Sequence, residues 1–237
     1  MAHINQPGGP FQAIEHPAVS GRERELRSLA DGVRRLVAAT VAHVATPAET
    51  AALAAEVQGL ADRLEGLVPA EPLPRFGTVD PQFDGPPVTH KRAPFDLVTG
   101  ICNPAALPVE MVVDTEADPP VSRGRAVFST VYEGPPGCVH GAAIAGAFDM
   151  VFTSACSVAG ASGPTMMLSV RYVAPTLLQT ETVFEGWVEK VGPKTTRVKG
   201  CARQGGHVTA EAEGVFRRLD LEAMRKLSQQ AAERRGV

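Results

Sequence analysis

Apolar residues recur at helical spacing in two N-terminal segments and at strand spacing through most of the C-terminal half. The first helical stripe is Leu26, Leu29, Val33, Leu36 and Val37, behind a candidate capping box of Ser20 and Glu23. The second segment opens with Thr46, Pro47 and Glu49, and proline suits the first helical position. Its stripe, Leu53, Val57, Leu60, Leu64 and Leu67, alternates spacings of four and three, and it stops at Gly66 to Pro69. The pair predicts an antiparallel helical hairpin that serves packing or dimerisation. Residues Met1 to Pro17 lack a pattern and read as loosely attached. Ala70 to Pro94 is rich in proline and reads as an extended, irregular connector.

From Phe95 onward the pattern reads strand, strand, helix, then four strands. The predicted strands are Val109 to Thr115, Ser122 to Tyr132, Thr165 to Val173, Thr182 to Val191, Thr195 to Arg203 and Val208 to Leu219. The helix covers Ala142 to Val158. Met166, Leu168, Val170 and Tyr172 fall on one face of their strand, so strict alternation puts Thr165 on the other. Ala210, Ala212, Gly214 and Phe216 form an inward row of mostly small residues, which suits a strand lying close to a helix. Asp220 is placed to cap a final surface helix reaching Arg234. This is an α+β chain of three parts: residues 1–94, 95–220 and 221–237.

Composition narrows the function. The 237 residues carry a formal charge of −3, and no basic block dominates, which argues against nucleic acid as the main partner. The first 19 residues lack the apolar core of a secretory signal, and no run of about 18 apolar residues predicts a membrane span. Cys102, Cys138, Cys156 and Cys201 have neither disulfide-scaffold nor metal-ligand spacing. They read as reduced, mostly buried thiols, and the expected location is the cytoplasm. No His or Cys cluster has metal spacing, no Gly-rich phosphate loop follows a strand, and the serine-hydrolase elbow G-x-S-x-G is missing.

One segment carries candidate chemistry. In GPPGCVHGAAIAGAFD, Gly134 to Asp149, a Gly- and Pro-rich turn feeds a helix of small residues. A helix start leaves backbone N–H groups without intrahelical partners, and the helix dipole adds partial positive charge there. That suits a developing oxyanion. Asp149 follows two turns after Ala142, among Phe148, Met150, Val151 and Phe152, where an unpartnered carboxylate is costly.

YEGPPGCVHGAAIAGAFD, Tyr132 to Asp149, resembles the signature of the hotdog acyl-CoA thioesterases of the PaaI and thioesterase-superfamily-member type: EGPPG, two residues, HGG, and an acid nine positions after the His. TMMLSVRYVAPTLL, Thr165 to Leu178, resembles their strand ending in R-Y-x-x-P, and ARQGGHVTAEAEGVFRRL resembles their last hairpin. The likeness runs from about Asn103 to Asp220. It implies a hotdog fold, a curved antiparallel sheet wrapped around a central helix, and hydrolysis of acyl-CoA to free acid and coenzyme A. It implies Asp149 as general base or nucleophile and the Gly141 N–H as oxyanion donor. It further implies that His140 shapes the site, Thr165 positions water and Asn103 reaches the thioester region. No cofactor or metal is implied. An active site shared between protomers implies a homodimer, or a dimer of dimers. The second Gly of HGG is Ala142 in this chain. The alternative reading is a non-catalytic acyl-CoA-binding sensor or scaffold with the N-terminal helices as its output arm.

Overall fold

The computed structural model describes residues 2–3, 18–19, 21–70, 94–218 and 230. The expectations for Met1 to Pro17, for the Pro-rich connector and for the C-terminal helix lie mostly or wholly outside those residues.

The elements are β1 (Ala2–His3), α1 (Glu23–Thr40), α2 (Pro47–Glu65), β2 (Val109–Asp114), β3 (Val121–Val127), α3 (Gly141–Val158), β4 (Thr165–Tyr172), β5 (Glu181–Val191), β6 (Thr195–Gln204) and β7 (His207–Arg217). The strands form one sheet in the order β1-β2-β3-β5-β6-β7-β4, antiparallel throughout. The helix α3 lies on one face of this sheet, and the core sits between them around Phe128, Phe148, Val151, Phe152, Phe184 and Phe216. This is the hotdog fold. The strand after the helix, β4, sits at one edge of the sheet, and the sheet's order, not its sequence order, decides what that edge can meet.

The small inward residues explain how closely the helix approaches. A Cβ built on Gly186 or Gly214 would lie 2.8 Å from the Phe152 ring, and one on Gly200 only 2.6 Å from it. Three strands thus give up side chains to seat one phenylalanine. Ala210, Ala212 and Phe216 are buried beside that seat, as their alternation predicts. The length and apolar content of α3 match a membrane span, at a mean hydropathy of 1.4, but half of it is buried in the fold and its apolar surface faces the sheet.

One boundary differs from the sequence reading. The strand expected to reach Tyr132 ends at Val127. Phe128 turns fully into the core, and Thr130–Tyr132 forms a single 3-10 turn in which the Tyr132 N–H bonds the Ser129 carbonyl at 3.0 Å. The start of α1 is Glu23, with Arg22 at the N-cap; Ser20, the expected partner of Glu23 in a capping box, lies outside the described residues. The Arg22 guanidinium bonds the Ala18 carbonyl at 2.9 Å. The helix start expected at Thr46 to Glu49 is present and carries a capping box: Thr46 and Glu49 bond each other's backbone N–H groups at 3.3 and 2.9 Å.

The helical stripes dock unequally. In α1, Leu26 packs with Val19, Cys102 and Phe95 in a small second core, and Arg34 donates to the carbonyls of Gly100, Ile101 and Asn103. No residue of α2 is buried. An open groove of about 830 Å³, lined by Leu29, Val33, Leu36 and Leu60 among others, separates the two helices. The expected hairpin is therefore not closed by its own apolar stripes.

Candidate active site

The turn before α3 is pinned on both sides. The Gly134 N–H bonds the Cys138 carbonyl at 2.9 Å, and the Cys138 N–H bonds the Pro135 carbonyl at 2.8 Å. The Val139 N–H reaches the Thr176 carbonyl at 2.8 Å, and the Leu178 N–H reaches the Gly137 carbonyl at 3.0 Å. Glu133 accepts the Gly137 N–H at 2.7 Å, and Gly137 has the positive φ, 72°, that such a turn requires. The segment after β4 thus holds the turn in place.

His140 is the N-cap of α3. Its Nδ1 accepts the Ala142 N–H at 3.0 Å, which puts the proton of the neutral ring on Nε2. Its carbonyl accepts the Ala143 N–H at 3.0 Å and the Ile144 N–H at 3.4 Å. Among the first N–H groups of the helix, only that of Gly141 has no partner among the described residues. Capping therefore selects one donor and leaves it available at the positive end of the helix dipole. Ala142, in place of a glycine, is exposed and costs this arrangement nothing visible.

Asp149 lies two turns further along, half-buried. The Thr165 hydroxyl donates to its Oδ1 at 2.7 Å. Its Oδ2 has no partner among the described residues, so one oxygen is anchored and the other is available. The structure thus joins Thr165 to Asp149 against the strict alternation of the sequence. The reason is a bulge: Thr165 pairs with Phe216 but Met167 pairs with Val215, so Met166 is the extra residue. Past the bulge the parity changes, and Thr165 shares the helix-facing side with Leu168 and Val170.

Tyr172, at the far end of β4, is a site neighbour that alternation alone did not single out. Its hydroxyl donates to the Gly141 carbonyl at 2.9 Å. The only forewarning was its place in R-Y-x-x-P.

Asn103 bonds its own loop. Its carboxamide donates to the Phe95 and Asp96 carbonyls at 3.1 and 3.2 Å and accepts the Ala105 N–H at 2.9 Å. It organises the loop that α1 packs against, and no bond links it to Asp149, Thr165 or Gly141. The cysteines are all unpaired. Burial raises the thiol pKa of Cys102 and Cys201, and pushes Cys156 up to about 12. Among the described residues, no group of three or more His, Cys, Asp or Glu side chains could hold a metal.

Residues 136–211 match the family model of the thioesterase superfamily. A solved structure described as a thioesterase superfamily protein is 30% identical, with a TM-score of 0.69, over 81% of this chain and 94% of the other. The chain belongs to the thioesterase superfamily, and that match is too long to be confined to the hotdog domain. The chain is also similar to thioesterase superfamily member 2 from Mus musculus, at 18% identity over 46% of this chain and 81% of the other, with a TM-score of 0.42. The E. coli PaaI protein from the phenylacetic acid degradation operon is 14% identical over 42% and 73%, with a TM-score of 0.40. No curated protein matches the chain.

Proposed function

We propose that this chain hydrolyses acyl-CoA thioesters to a free acid and coenzyme A, with Asp149 as general base. The observation that carries the reading is the Thr165–Asp149 hydrogen bond together with the unpartnered Gly141 N–H. Thr165 fixes one carboxylate oxygen, and the other takes a proton from water as that water attacks the thioester carbonyl. The carbonyl oxygen becomes an oxyanion and accepts the Gly141 N–H. Collapse of the adduct breaks the C–S bond and releases the coenzyme A thiolate, a good leaving group.

One chain cannot supply both groups to one carbonyl. Gly141 and Asp149 are eight residues apart on the same helix, which is about 12 Å at 1.5 Å per residue. The opposed Asp149 must therefore come from a second copy. The exposed edge strand β4 offers the place: it ends the sheet, and Met166, Met167 and Tyr172 are half or more exposed on it. An unpaired edge of eight residues is a template for another strand. We infer a homodimer with two shared sites.

Turnover of a panel of acyl-CoAs, from acetyl to long-chain and aryl-acetyl, tests this by following release of free thiol. The reading expects hydrolysis of at least one class. Tight binding of acyl-CoA with no thiol release would favour a non-catalytic acyl-CoA sensor instead.

A further inference from the structure

The strand β4 meets α3 at both of its ends. Thr165 at the start bonds Asp149, and Tyr172 at the end meets Gly141. The second contact is unusually close. A Cβ on Gly141 would lie 2.8 Å from the Tyr172 hydroxyl oxygen and 3.0 Å from the ring carbon that bears it. The tyrosine therefore occupies the space that any side chain at position 141 would need. A side chain at position 141 would have to push the Tyr172 hydroxyl aside and so break its bond to the Gly141 carbonyl.

Gly141 is thereby held from two directions. Upstream, the His140 N–H bonds the Tyr132 carbonyl at 2.7 Å, and the His140 side chain and carbonyl cap the first turn. Downstream, the Tyr172 hydroxyl bonds the Gly141 carbonyl and stands where a Cβ would lie. Tyr172 itself is placed by its pairing with Ala210 and by the Val173 and Ala174 N–H groups, which both bond the Thr209 carbonyl at the strand end. The side chain does little for the core: it is 53% exposed and lies outside the buried cluster. An aromatic residue outside the chain's own core that bonds a helix-start carbonyl contributes geometry to that helix start.

We propose that Tyr172 is a positioning residue that holds Gly141 so that its N–H keeps its aim at the oxyanion. This rests on the reading of Gly141 as the oxyanion donor. Misplacement of such a donor by a fraction of an ångström lowers the rate of the chemical step without weakening substrate binding.

The test is Tyr172→Phe in the full chain, which keeps the ring and deletes the hydroxyl. The expected result is a fall in kcat of about tenfold, with KM and melting temperature unchanged. The Gly141 amide resonance should shift, and its exchange with solvent should quicken. Wild-type kcat with an unmoved Gly141 amide overturns the proposal, and so does a lower melting temperature with kcat intact. The amide readout separates this from the enzymatic reading. If the wild-type chain hydrolyses no acyl-CoA, a shifted amide keeps the Tyr172 clamp and defeats the thioesterase assignment, whereas an unmoved amide defeats the clamp itself.

Discussion

The Thr165 hydroxyl donates to Asp149 Oδ1 at 2.7 Å, across the gap between the edge strand and the core helix. This bond orients the carboxylate and leaves Oδ2 without a partner among the described residues. Thr165→Val keeps the volume and removes the donor. Because Thr165 is exposed, the fold should survive. The expected effect is a fall in kcat of about 10- to 100-fold, the scale of a misoriented catalytic group, measured by thiol release at saturating substrate. Unchanged kcat would mean that the bond is incidental.

The two-copy site predicts complementation. Asp149→Asn removes the base. Gly141→Pro removes the N–H at a position where a helix tolerates proline, and His140 already has the extended backbone that precedes proline well. The proline ring must displace only the exposed end of Tyr172. Each variant alone should be inactive. Mixed and re-equilibrated one to one, half the dimers pair unlike chains and each of those has one intact site, so about a quarter of wild-type activity should return. Mixtures that stay dead while exchanging subunits would contradict a shared site.

Much of the fold was legible because each element repeats a period. The helix start at Thr46 to Glu49, the small inward row from Ala210 to Phe216 and the turn before α3 are local signals, and the structure has all three. The failures are nonlocal. Alternation put Thr165 on the wrong face because a bulge at Met166 is defined only by its partners Phe216 and Val215. The helical stripes are real, but nothing in their spacing says that α2 buries no residue. The loop bonds of the Asn103 amide were not legible in its motif position either. Tyr172 looked like one more apolar position, because its contact with Gly141 spans 31 residues of chain.

The seat for Phe152 predicts a stability effect. Gly200→Ala would place a Cβ 2.1 Å from the Glu185 carbonyl oxygen and 2.6 Å from the Phe152 ring. Backbone and a fully buried ring both resist displacement. The expected loss is about 3 kcal/mol or more, at the upper end for overpacking, read by denaturant unfolding. A variant as stable as wild type would show that α3 lies further from the sheet than described.

Acid stability should depend on Arg123. Its guanidinium bonds Asp114 at 2.9 Å and Glu185 at 2.8 Å, and the bond to Arg123 holds the Asp114 carboxyl below the usual carboxylate range. A depressed folded pKa contributes stability that is fully present above the unfolded value of about 4 and is lost as pH falls through the folded value. Asp114→Asn should therefore melt lower than wild type at neutral pH, with the gap closing in acid. A gap that persists in strong acid would contradict the ion pair's role.

The central claim is that Asp149 acts as the base in thioester hydrolysis, and Asp149→Asn tests it most directly. The substitution keeps the shape of the side chain and can still accept the Thr165 hydroxyl. Thiol release from the best acyl-CoA substrate should fall by at least about 100-fold relative to wild type, with the melting temperature and oligomeric state preserved. Near-wild-type turnover by a folded Asp149→Asn protein would contradict the account.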